Sequence, residues 1–195
     1  MLFRSGVLAP KSKADLAFIM HCYSWLDACG TAAIVCFPGI MYRGGAEQKI
    51  RRHLVSNVNA IDCIIQLPAN LFFGTSIATC IMVMKKNKQD GKILFIDASK
   101  ECIKVTNNNK LTDENIDRIV SVYAAREEIP HFSHLATVEE VEENDFNLSV
   151  STYVEQEDTR EAIDIDKLNV EIEEICLRAD ELREQIRGII EEIEG

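Results

Sequence analysis

The chain has 195 residues, the length of one domain or of one domain with an appendage, and its 47% hydrophobic and 27% charged residues are enough to bury a core. Its net charge of -11 conceals two halves of opposite sign: residues 1–125 carry 15 Lys and Arg against 10 Asp and Glu (net +5), and residues 126–195 carry 6 against 22 (net -16), so a polyanion would bind the first. There is no apolar run near the roughly 18–20 residues of a membrane span and no signal-peptide pattern at the start; seven cysteines without a Cys-x-x-Cys pair predict a reducing, cytoplasmic setting with no disulfide framework and no zinc site.

In chain order, the first element is a helix over residues 14–26, where Leu16, Ala17, Met20 and Tyr23 recur at helical spacing before Cys29-Gly30. Residues 31–37 form a short continuous apolar run stopped by Pro38-Gly39, the pattern of a strand buried on both faces. A second helix over 46–54 puts Ile50 and Leu54 on one side, with Lys49, Arg51, Arg52 and His53 around the rest. Residues 61–67 are a second apolar strand, so strand, helix, strand predicts an α/β unit with a parallel pair.

After Pro68 comes a polar and aromatic loop, residues 70–76, and then a third strand over 77–84. The connection is too short for a crossover helix, so the second and third strands are predicted to be antiparallel neighbours. Lys85, Lys86 and Lys88 suit a solvated hairpin tip, residues 92–97 an edge strand, and 107–109 an asparagine-rich loop. Thr112 is the expected N-cap of a helix running to about Ala125, over an acidic first turn. Residues 127–153 are mixed, with a short helix near 137–143; His131 and His134 lack partners at metal-ligand spacing.

The last thirty residues carry the clearest pattern. Ile165, Leu168, Ile172, Ile175, Ala179, Leu182, Ile186, Ile189 and Ile193 alternate spacings of 3 and 4, a heptad stripe that must be buried on another helix. The organisation predicted is therefore an α/β part over 1–105, a mixed helical and loop extension over 106–160, and a docking helix over 161–195. One feature of the first part is incomplete. Val35 lies in a run that reads as a central strand, yet nothing N-terminal to Ala14 can pair with it, so the expectation is the C-terminal portion of a larger sheet domain.

The segments 11–18, Arg43-Gly44-Gly45-Ala46-Glu47, 67–75, 79–81, 95–99, 111–116 and 144–148 resemble, in colinear order, the modification (M) subunits of type I restriction enzymes. The resemblance implies adenine-specific DNA methylation with S-adenosylmethionine, and a fold that is the C-terminal part of a Rossmann-like methyltransferase sheet (parallel strands plus an antiparallel hairpin) followed by a long C-terminal helix. It also implies that this chain holds no catalytic residue. The family's Asn-Pro-Pro-aromatic motif does not occur, and the one glycine pair, Gly44-Gly45, is not the glycine-rich cofactor turn. No cofactor binding, no metal and no activity are therefore expected of the chain alone.

Within the resemblance, Phe72 or Phe73 is the residue expected to stack on the extruded adenine, although two adjacent phenylalanines after a strand also suit a cap on the core. Ser76 and Ala78 stand where the family pattern has glycine and proline. Arg43, Lys49, Arg51 and Arg52 are candidate phosphate contacts, or a solvated helix face. Leu168, Ile172, Ile175, Leu182, Ile186, Ile189 and Ile193 would dock the specificity (S) subunit, with the restriction (R) subunit, DNA and an N-terminal half of the M subunit as further partners. The alternative is a free-standing interaction module that forms a homo-oligomer through this helix.

Overall fold

A computed structural model describes residues 8–157 and 165–194, so the readings made for residues 1–7 and for the start of the docking segment at 161–164 lie outside the described residues. The chain divides into two units, Met1–Glu157 and Asp158–Gly195.

The first unit is mixed α/β. Its elements are α1 (Asp15–Trp25), β1 (Thr31–Cys36), α2 (Gly39–Tyr42), α3 (Ala46–Arg52) running into a π-helical turn (His53–Asn57), β2 (Ile61–Gln66), β3 (Cys80–Lys85) and β4 (Lys92–Asp97). A small hairpin, β5 (Ile103–Val105) and β6 (Asn108–Lys110), precedes α4 (Asp113–Ala125), β7 (Ser133–Thr137), α5 (Val138–Glu143) and α6 (Val150–Tyr153). Five strands form one sheet in the order β1-β3-β2-β4-β7. β3 is antiparallel to both β1 and β2, β2 and β4 are parallel, and β7 is antiparallel to β4.

The predicted β2–β3 antiparallel pairing is present, but three expectations are corrected. β1 and β2 run in the same direction without pairing, because β3 returns between them; chain spacing fixes the direction of a strand better than its neighbour. β4 is interior, not an edge, since β7 pairs along it through Lys92↔Thr137 to Ile96↔Ser133. The extension expected over 106–160 is not separate, because β7 completes the sheet and α6 packs on β4. β7 escapes a hydropathy reading because Ser133-His134-Leu135-Ala136-Thr137 buries only Ser133 and Ala136 fully.

Alternate residues supply two cores, as the two-residue period of a strand demands. Ile64, Met82, Met84, Ile93 and Phe95 face one side, against Leu16 and Ile19 of α1 and Ile50 of α3. Cys63, Ile65, Val83, Leu94 and Ile96 face the other, against Ile119 and Val122 of α4. That second layer does not extend over β1: Val35 is 53% exposed and Ala33 is exposed, so β1 is not buried on both faces as its apolar run suggested. α4 begins as expected, with the Thr112 side chain accepting from the Asn115 N–H and Asn115 bonding back to the Thr112 N–H.

The second unit contains α7 (Ile165–Glu194), thirty residues long. Every large apolar residue of its heptad stripe, from Ile165 and Leu168 to Ile189 and Ile193, is exposed.

Candidate nucleic-acid interface

The register Cys36↔Cys80↔Gln66↔Asp97 places the C-terminal ends of β1, β2 and β4 side by side. In open α/β sheets this is the end at which ligands are held, because successive loops leave the strands there. From β1 comes the Phe37–Arg43 turn, from β2 the aromatic loop, and from β4 the segment leading into the β5–β6 hairpin.

The aromatic loop spans residues 67–79. Its two feet are tied together: the Leu67 N–H donates to the Thr79 carbonyl at 2.9 Å, and the Gln66 amide donates to the same carbonyl at 3.1 Å. Asn70 (φ 53°) and Gly74 (φ 79°) turn the chain in the left-handed region, which asparagine and glycine tolerate best. Leu71 packs on the α4-side core. Phe73, in contrast, is 97% exposed and Phe72 is 40% exposed. Phe73 is therefore no cap on the core, and of the two expected candidates it is the one with its ring free.

The four basic candidates separate. Lys49 is exposed; Arg52 lies over the Phe146 ring at 5.4 Å, with Glu142 at 3.7 Å. Arg43 is partly exposed, its guanidinium 5.4 Å from the Phe37 ring centre and 3.6 Å from the buried carboxylate of Glu47. A β-carbon at Gly39 would lie 2.5 Å from that guanidinium, so a larger residue there would displace it from its present position. Arg51 must be withdrawn as a phosphate contact. It is 1% exposed and donates to the carbonyls of Phe146 (2.8 Å), Ile40 (2.9 Å) and Arg43 (2.7 Å), and burial pulls its guanidinium down to about 10. Three of its N–H groups are taken up in closing the α2–α3 corner.

The lysines expected at a solvated tip are also engaged. Lys85 pairs with Asp62 at 2.9 Å, Lys86 donates to the Leu26 carbonyl at 2.9 Å, and Lys88, nearly buried, donates to the carbonyls of Ile61 (2.9 Å) and Lys92. Asp62 also accepts from the Tyr123 hydroxyl at 2.8 Å and from Arg126 at 2.9 Å. Burial alone would raise its carboxyl, but the hydrogen bonds from Lys85 and Tyr123 and the charges of Arg126 and Lys85 outweigh it and hold it below the ordinary value. This network ties α4 to the sheet. His134 lies between Glu128 (2.7 Å) and Glu140 (2.9 Å), and His131 faces the Glu155 carbonyl. Among the described residues no cluster of three or more ligating side chains can hold a metal. Nor is any helix among them long and apolar enough to cross a membrane.

Hydropathy and motif gave no sign of Asn109. Its backbone N–H donates to the Asn70 carbonyl at 2.9 Å and its side-chain amide to the Ala69 carbonyl at 2.7 Å, so the hairpin holds the loop's first stride.

These features define a mixed α/β protein that presents an aromatic loop and a basic turn at the C-terminal end of its sheet. The family model for N-6 DNA methylases matches residues 1–162, and the chain belongs to that family. It is 46% identical over 97% of its length to the type I restriction enzyme MpnII methylase subunit of Mycoplasma pneumoniae, covering 35% of that protein. Against the MjaVII methylase subunit of Methanocaldococcus jannaschii it is 39% identical over 98% of its length, covering 34%. The crystal structure of a type I restriction-modification methyltransferase subunit from Streptococcus thermophilus superposes on 78% of this chain and 32% of that one, with a TM-score of 0.76 and 48% identity. The chain thus spans about a third of the length of these relatives.

Proposed function

We propose that this chain is the C-terminal third of a type I restriction-modification methylase subunit, and that it supplies the surface against which the target adenine is stacked in an enzyme that methylates the adenine amine. The observation that carries this reading is Phe73, fully exposed on a loop whose feet are tied, at the end of the sheet where ligands collect. An extruded base is held between flat apolar faces, and an exposed phenylalanine ring offers one. Arg43, fixed by Phe37 and Glu47, together with Lys49 and Arg52, would contact backbone phosphate.

S-adenosylmethionine is the methyl donor this reading requires. Cofactor binding and methyl transfer are assigned to the rest of the subunit, and sequence recognition to the S subunit. The R subunit is a further partner of the whole assembly. The unpaired edge and uncovered face of β1 suit a sheet completed by that preceding part.

The test is methylation by this chain combined with the remainder of the subunit and an S subunit. Phe73→Ala is expected to lower kcat about 10²-fold or more, with unchanged folding, and Phe72→Ala to act less. Equal activity of Phe73→Ala and the parent would end the stacking role. The exposed seam of α7 is assigned to helix docking on the S subunit. Ile175→Asp plus Ile186→Asp should abolish that association in sedimentation and leave the melting of the α/β unit unchanged. Loss of self-association instead, with no S-subunit binding by the parent, would favour a homo-oligomeric module.

A further inference from the structure

The β5–β6 hairpin has no evident structural reason to exist. It stands outside the five-stranded sheet, and an isolated two-stranded ribbon is marginal in water. Its outward residues Ile103 and Val105 are exposed, so it contributes little apolar burial of its own. What it does do is close on the aromatic loop. Asn109 sits in β6 opposite Lys104, and its N–H and its side-chain amide grip two consecutive carbonyls, those of Asn70 and Ala69. The grip falls at the left-handed residue Asn70, where the chain changes direction, three residues before Phe73. Beyond it the remaining polar tie in the tip is local, from the Ile77 N–H to the Thr75 hydroxyl at 3.2 Å.

We propose that Asn109 is a positioning residue for base stacking: the hairpin is a clamp that fixes the first half of the loop so that the Phe73 ring is presented in one orientation. The inference rests on the stacking role proposed above and assigns it a second residue. A preset ring loses less freedom when a base stacks on it, so the clamp acts on affinity for an unpaired base and not on the stability of the fold. Chemistry distinguishes the two contacts of Asn109. The backbone donor survives any substitution but proline, whereas the side-chain donor is lost in Asn109→Asp, which keeps size and shape but can only accept.

The experiment uses this chain with two readouts. The first is the backbone order parameter of residues 69–73 from nitrogen relaxation, compared between the parent and Asn109→Asp. The second is fluorescence of a Phe73→Trp reporter, in a background with Trp25→Phe, titrated with a strand of ten deoxyadenosines; stacking on the indole quenches it. Asn109→Asp is expected to lower the order parameters from near 0.85 to about 0.6 or less and to weaken quenching about fivefold or more, with the melting temperature unchanged; Asn109→Gln, which keeps the donor, should recover part of both. Unchanged order parameters overturn the clamp. Lowered order parameters with unchanged quenching overturn its positioning role. Quenching absent from the parent as well, with order parameters that still fall, overturns the stacking reading while leaving the clamp standing.

Discussion

β1 and β2 are mainly apolar six-residue strands that run in the same direction and end level with each other, yet they live in different surroundings. β2 buries every residue but Gln66, because β3 and β4 flank it and helices cover both of its faces. Among the described residues β1 fully buries only Cys36, because β3 is the one strand that pairs with it and α1 packs on one face. An apolar strand is a demand for cover, and sequence records the demand whether or not the chain meets it. Val35, Phe18 and Phe37, all exposed, mark where this chain leaves it unmet.

Ile64 lies at the centre of β2, wholly buried between Met82 and Phe95. Ile64→Ala is expected to cost about 2–5 kcal/mol, as lost transfer energy plus an unfilled cavity, read as a fall in the urea midpoint at constant slope. A cost below 1 kcal/mol would mean that β2 is no better packed than β1.

Asp62, also in β2, tests whether the polar network adds to that packing. Asp62→Asn leaves Lys85 and Arg126 to rehydrate and should cost about 2 kcal/mol near neutral pH. The sign with pH follows from a carboxyl held below its ordinary value of 3.8 in the fold. Its contribution is complete above about pH 4, where the unfolded chain is ionised too, and is lost as pH falls through the lowered native value. Acid titration of stability should therefore be shallower in Asp62→Asn than in the parent, and identical slopes would show that Asp62 gains nothing from its partners.

These contrasts also mark what sequence can carry. The N-cap at Thr112, the helices read over 14–26, 46–54 and 112–125, and the β2–β3 pairing depend on neighbours in the chain and were legible from it to within a residue or two. Arg51 was not: on a helix with Lys49 and Arg52 its charge predicts solvent, and only the distant Phe146 carbonyl, with Ile40 and Arg43, turns it inward. β7 and the Asn109 grip failed for the same reason, since each is defined by a partner more than thirty residues away, β4 and the carbonyls of Ala69 and Asn70. The exposed ring of Phe73 lay between these cases. Its place in a loop could be read, but whether it or Phe72 faced outward depended on Leu71 packing against α4's side of the sheet.

The smallest expected effect is the most telling for β1. Val35 and Val83 share the α4-side face of the sheet, since Val35 pairs with Ile81, two residues before Val83 in β3. Replacing either by threonine keeps the branched shape and strand preference and adds one hydroxyl. At Val83, 6% exposed, that hydroxyl must be buried, and Val83→Thr should cost about 1–3 kcal/mol. At Val35 water already reaches the side chain, so Val35→Thr should change stability by less than about 0.5 kcal/mol. The two values converge only if something covers β1 in solution. If Val35→Thr costs as much as Val83→Thr and its cost rises with protein concentration, a second copy of this chain is that cover. If the cost appears only when the preceding part of the subunit is added, β1 is the seam at which the larger sheet is joined.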